Sequence, residues 1–273
     1  MNTAMASKLN DTALGADLLD ASAGPLLTLN ALAKSFGGLR VLQNISLSIP
    51  PRQITGLIGP NGSGKTTLFN IISGFLAPNQ GRVDFDGTDI TRMTVQQRCR
   101  QGIVRTFQTP KVFESLTTIE NVMAGFHGSR RAGIIESMIG TGRSRGEIAE
   151  ARDRAIALLE AFDLASHATL SASRLSAGQR RSLEIARALA ASPKLLMLDE
   201  PSTGLTRDET AALADRLERL RDDGIAVLVV SHDMDFIRVT QRTHVLYFGE
   251  IIASGDIATI QANPTVRQVY LGS

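Results

Sequence analysis

From residue 26 onward the apolar positions fall into short runs whose period changes along the chain. The runs at 26–32 and 41–49 read as strands, and 81–87, bounded by Gly81 and Gly87, reads as a strand closed by turns. Residues 54–58 form a continuous apolar run, the mark of a short buried strand, and 68–72 continue as a helix. Between Glu147 and Phe162 the apolar positions Ile148, Ala151, Ala155, Leu158, Leu159 and Phe162 recur at helical spacing, which predicts a packing helix. Beyond it, strands at 194–198 and 225–230 alternate with helices at 206–221 and 233–240. Short apolar strands alternating with helices predict a largely parallel sheet covered on both faces. Residues 1–25 show no sustained period and are expected to form a flexible tail.

Composition narrows the picture only a little. At 273 residues, 43% hydrophobic and 21% charged, the chain has material for one large domain or two small ones. Its 29 Lys and Arg against 27 Asp and Glu are too balanced to predict nucleic-acid binding. The basic groups at 98–100 and 129–131 read as solvated faces. The single cysteine, Cys99, excludes an internal disulfide framework and fits a reducing compartment. No apolar stretch approaches the roughly 20 residues that span a bilayer. The N-terminus lacks a basic segment followed by an apolar one, so no secretory signal is expected. Work at a membrane would therefore require other subunits to hold the chain there.

The chemistry enters at GPNGSGKTT, residues 59–67, which matches G-x-x-x-x-G-K-[ST] at Gly59, Gly64, Lys65 and Thr66. A loop of this kind between a strand and a helix turns its amides inward to cradle phosphate oxygens. Lysine adds a point charge, the threonine hydroxyl can ligate magnesium, and the helix presents its positive end to the anion. A nucleoside triphosphate with magnesium is the expected ligand, which leaves kinase, GTPase and helicase open. Later, the run at 195–200 is an apolar strand ending in Asp199 and Glu200. Such a strand can deliver Asp199 to the magnesium shell opposite Thr66, while Glu200 points elsewhere and can orient or deprotonate water. Another apolar strand ends near His232, at the carboxyl end of a sheet strand, where ligands of open α/β folds collect. There His232 can reach the terminal phosphate and help to hold Glu200. LSAGQ, residues 175–179, precedes a helix with Leu183, Ala186 and Ala190 on one face, which puts Ser176, Ala177 and Gly178 at a helix N-terminus with free amides. This is a second anion site in a chain with one phosphate loop. It implies that the nucleotide is sandwiched between two protomers.

The ordered set of 59–67, Gln108, 175–179, 195–200 and His232 resembles the ATP-binding-cassette ATPases, and the likeness extends from about Leu26 to Ser273. It implies an α/β fold: a P-loop NTPase (RecA-like) core with a mainly parallel sheet, an N-terminal antiparallel β subdomain, and an inserted helical subdomain at about 109–190 of a nucleotide-binding domain at 26–273. It implies ATP and Mg2+ as ligands, with Gly59, Pro60, Asn61, Gly62, Ser63, Gly64, Lys65, Thr66 and Thr67 as the phosphate loop. Gln108 is implied to be the lid glutamine sensing the γ-phosphate and the metal, giving Thr66, Gln108 and Asp199 around magnesium. Phe36 is implied to stack on adenine with help from Val41, while Ser176, Ala177, Gly178 and Gln179 cap the partner's nucleotide and Glu200 and His232 serve catalysis. Two departures stand out. Ala177 replaces the usual glycine of the signature, and Thr206 stands where the family often has an aspartate linking the two active sites.

Within the family, residues 105–121, the long insertion from about Gly128 to Gly146, RSLEIAR at 181–187 and the ending at 263–272 resemble the larger ATPase of branched-chain amino acid importers. Urea and short-amide importers and the lipopolysaccharide-export ATPase share much of this. The resemblance implies a peripheral protein on the cytoplasmic face of the inner membrane. Its implied partners are a second cassette subunit, sibling or self, in a head-to-tail ATP sandwich, two transmembrane permeases touched by the residues after Gln108, and indirectly a periplasmic substrate-binding protein, with no nucleic acid. The rival classes are a soluble cassette ATPase that remodels a macromolecular complex and a small-molecule P-loop kinase. The kinase would have no need of residues 175–179.

Overall fold

The computed structural model describes residues 24–126 and 142–271. The expected tail at 1–25 and the insertion at 128–146, with its basic group at 129–131, lie mostly or wholly outside the described residues.

Two sheets organise the described residues. The smaller is antiparallel and is built from β1 (Leu27–Phe36), β2 (Leu39–Ile49), β4 (Gln80–Phe85) and the two-residue β5 (Thr88–Asp89), in the order β2-β1-β4-β5. The larger contains β3 (Ile54–Ile58), β6 (Ile103–Arg105), β7 (Leu195–Asp199), β8 (Ala226–Val230), β9 (Arg242–Tyr247) and β10 (Glu250–Gly255). Its order is β10-β9-β3-β8-β7-β6, parallel except for β10.

Every residue of β3, β7 and β8 is buried, so their apolar runs need no polar alternation. The pleat sends alternate side chains to opposite faces. Leu196, Leu198, Val227 and Val229 join one core with Leu183, Leu213 and Leu217. Leu195, Met197, Leu228 and Val230 join the other, with Leu68, Phe69, Ile72 and the inner face of the small sheet.

The helices are α1 (Lys65–Ser73), α2 (Val95–Gln101), α3 (Thr118–Gly125), α4 (Gly142–Ala161), α5 (Ala177–Ala190), α6 (Arg207–Asp222), α7 (Ile257–Ala262) and α8 (Pro264–Leu271). Four of these begin in complete capping boxes, with Thr94, Thr117, Ser176 and Thr206 as caps. The packing face of α4 is Ala151, Ala155 and Leu159, continued by Phe162, but Ile148 stays exposed. None of the described helices is long and apolar enough to cross a membrane.

Two expectations need correcting. Residues 233–240 do not form an α-helix; only Phe236–Val239 make one 3₁₀ turn. The carboxylate of Asp233 accepts from the amides of Asp235 and Phe236, and Gln241 already donates its amide to Ile54 of β3, so the chain has room for a single turn. Nor is the group at 98–100 a solvated face throughout. Arg98 is 1% exposed and donates to the carbonyls of Ile71, Ile72, Thr91 and Met93, closing the C-terminus of α1. A cation suits the negative end of a helix. Burial pulls this guanidinium down to about 10.

Candidate functional site

β3 runs into the phosphate loop, and the loop is held by its neighbours. A Cβ on Gly59 would stand 2.1 Å from the carbonyl oxygen of Leu246 in β9, so only glycine admits that approach. Gly64, at φ +109, starts α1 from a left-handed conformation against Leu42 and Val41. The amide of Gly249, in the turn between β9 and β10, donates to Ser63 at 3.0 Å. Lys65 folds back over the loop, its Nζ donating to Gly59 at 2.7 Å and Pro60 at 3.0 Å. Burial lowers the ammonium's pKa, and the nearby charges of Glu200 and Asp199 oppose that shift.

The two carboxylates at the end of β7 diverge. Asp199 faces Arg105 of β6, 3.8 Å away. Burial pushes the Asp199 carboxyl up, against the pull of Arg105. Arg105 is itself enclosed by the rings of Phe69, Phe75 and Phe107 and donates to Asn70 and Ser73. Glu200, one residue on, has φ +49 and turns toward β8. Its Oε2 accepts from the His232 amide at 3.3 Å and lies 2.8 Å from His232 Nδ1.

These groups share one cleft. An open cavity of about 340 Å³ is lined by Val41, Asn61, Gly62, Gly64, Lys65, Thr66, Thr67, Gln108, Asp199, Glu200 and Val230. Gly59, Pro60 and Ser63 belong to the same loop but do not line the cavity, and His232 meets the cleft through Glu200. Phe36 is half exposed at the end of β1, where Lys34 Nζ lies 5.1 Å from its ring centroid.

Ser176, Ala177, Gly178 and Gln179 do not line the cleft. They open α5, and their amides are not all free as expected. Ser176 N donates to Gln179 Oε1 and Gln179 N to Ser176 Oγ, so the open N-terminal amides are those of Ala177 and Gly178. Thr206 in turn caps α6 through a capping box with Glu209, and the Glu209 carboxylate packs directly on Gly178. The residue at the unusual position thus has a defined task in starting α6.

The oxygen donors at the cleft suit a hard cation. Thr66, Asp199 and Gln108 offer a hydroxyl, a carboxylate and an amide oxygen, the kind of set that completes a Mg2+ shell begun by phosphate oxygens.

Residues Arg105, Arg181 and Glu184 escaped the sequence reading as site components. Arg181 and Glu184 are 3% and 2% exposed and both contact the chain around Gln108. The available signal was a charged pair three residues apart on an otherwise apolar helix face.

Comparison with known proteins follows the same lines. The family model described as "ABC transporter" matches residues 42–203. The chain is 39% identical over 250 residues to the high-affinity branched-chain amino acid transport ATP-binding protein LivG of Salmonella typhimurium, covering 91% of this chain and 98% of that one. It is 36% identical to BraF of Pseudomonas aeruginosa, which carries the same description, over the same shares of the two chains. Among solved structures, a nucleotide-free ATP-binding cassette from an ABC transporter superposes with a TM-score of 0.79 at 32% identity, covering 92% of this chain and all of the other. A dimeric cassette in a post-hydrolysis state with ADP and Pi gives 0.72 at 28% identity, covering 85% and 98%.

Proposed function

Because the chain belongs to the ABC transporter family and is an ATPase of that family, we propose that it energises the import of branched-chain or related amino acids, paired with a second cassette. The observation that carries the cargo class is the similarity to LivG and BraF along nearly the full length of both chains. The chemistry rests on the cleft itself.

In this reading the amides of residues 59–67 hold the β- and γ-phosphates of ATP, and Lys65 exchanges the carbonyls of Gly59 and Pro60 for phosphate oxygens. Phe36 and Val41 receive the adenine. Glu200 takes a proton from the water that attacks the γ-phosphorus, as ADP leaves, and His232 holds the carboxylate in place by the 2.8 Å contact. Thr66, Asp199 and Gln108 would hold Mg2+, which would supply positive charge to offset that of the phosphates. Ser176, Ala177, Gly178 and Gln179 face the nucleotide of the partner cassette, so each site is completed by two chains. Two permeases and a periplasmic binding protein complete the transporter, with this chain peripheral on the cytoplasmic face.

The test is affinity capture of the chain from detergent-solubilised native membranes with mass spectrometry of what accompanies it. Two permeases, a second cassette and a periplasmic binding protein whose ligand is a branched-chain amino acid are expected. Recovery of a soluble machine and no permease would refute the transporter reading.

A further inference from the structure

We infer that Arg181 and Glu184 are positioning residues that lock the lid-glutamine loop to the signature helix, so that the sensor of one nucleotide and the cap of the other move as one piece. This rests on the ATPase reading of the same site.

Among the described residues, the segment from Phe107 to Val112 makes no backbone-to-backbone hydrogen bond. Backbone groups of Phe107, Gln108 and Lys111 go instead to side chains of α5. Arg181 donates to the carbonyls of Phe107 at 2.7 Å and Gln108 at 2.6 Å. One oxygen of Glu184 accepts from the amides of Phe107 at 3.3 Å and Lys111 at 3.1 Å, and its other oxygen takes a hydrogen bond from Arg181 at 2.9 Å. Arg187, one further turn along the same face, donates to the Lys111 carbonyl and stacks its guanidinium over Phe113. Three loop residues, Phe107, Gln108 and Lys111, are therefore held by three charged residues spaced three apart on one helix.

A buried ion pair is a poor source of stability, because desolvation offsets its attraction and an apolar pair of similar volume does as well. What this pair supplies is geometry. The guanidinium fork matches two successive carbonyls, and the carboxylate matches two amides of an irregular segment. Arg181 lies five residues from the cap Ser176, about 7.5 Å along a rigid helix. A shift of Gln108 toward a bound γ-phosphate therefore carries Ser176, Ala177 and Gly178 with it.

The decisive experiment uses the full chain with both residues replaced by apolar ones of similar volume, Arg181→Met with Glu184→Leu. The thermal midpoint should stay within a few degrees and affinity for a fluorescent ATP analogue within twofold, while kcat falls at least tenfold. Hydrogen exchange at the Phe107 and Lys111 amides should rise to that of an open loop with α5 still protected. Unchanged kcat with those amides released would overturn the inference, as would loss of activity that only tracks unfolding of α5. Arg181→Lys keeps the charge and loses the fork, so it serves if the double variant fails to fold; full kcat in that variant also overturns the inference. Wild type and Glu200→Gln run alongside. A wild type without ATP turnover contradicts the ATPase reading, and the exchange measurement still decides the clamp.

Discussion

His244 makes the chain sensitive to acid in a way that can be worked out in advance. It lies in β9 opposite Leu57 of β3, is 4% exposed, and its Nδ1 contacts Ser254 Oγ at 2.7 Å while Nε2 is buried with no partner among the described residues. Burial, helped by the charge of Arg242, pulls its pKa from 6.5 to about 4. The unfolded chain takes up the proton first, so the contribution is complete above the unfolded value and is lost as pH falls from about 6.5 toward 4. A shift of this size corresponds to roughly 3 kcal/mol in all, of which about 2 kcal/mol is gone at pH 5. The chain has no tryptophan, so urea unfolding is best followed by far-ultraviolet circular dichroism. Between pH 7.5 and pH 5 the wild type should lose about 2 kcal/mol more than His244→Gln. Equal losses in the two proteins would refute the reasoning.

Four other outcomes follow from the structure. Glu200→Gln should keep ATP binding and lower turnover by about 100-fold or more in a phosphate-release assay; wild-type turnover would remove Glu200 from the role of base. Gly59→Ala drives a methyl against the Leu246 carbonyl, so ATP affinity by calorimetry should fall at least tenfold, and an unchanged value would contradict the tight packing of the loop. Arg98→Met removes a donor from four carbonyls around α1, of which Ile71 keeps the Gly74 amide, and should cost about 3 kcal/mol in urea unfolding, whereas a loss below 1 kcal/mol would show that water replaces the guanidinium. Chelation with EDTA should stop turnover and Mg2+ restore it, and turnover that survives chelation would count against Thr66 and Asp199 as metal donors.

What was legible in the sequence has a common physical basis: local spacing. The loop at 59–67 and the Asp199–Glu200 pair each occupy a few consecutive residues, and the structure brings members of both to one cleft. The buried strands at 54–58, 195–199 and 226–230 were equally plain, because strands covered on both faces are apolar throughout. Contacts between remote segments were not legible. Arg98 reads as a surface residue until α1 is set against it, and Arg181 and Glu184 look like ordinary helix charges until the loop around Gln108 arrives from more than seventy positions away. The strand pair β9–β10 was missed for a related reason: its outer member has no fully buried residue and so lacks a strong apolar signal. The turn at 236–239 was overextended because helical spacing says nothing of where the next strand must begin.

The left-handed backbone at Glu200 sets durability against speed. A side chain at φ +49 costs on the order of 1 kcal/mol that glycine would not incur. Replacing Glu200 by glycine would therefore relax the turn after β7 and toughen the fold while removing the carboxylate proposed to act on water. A library of variants sorted only for survival of heat would enrich inactive chains at this codon. Any engineering of this cassette for robustness has to score turnover in the same round.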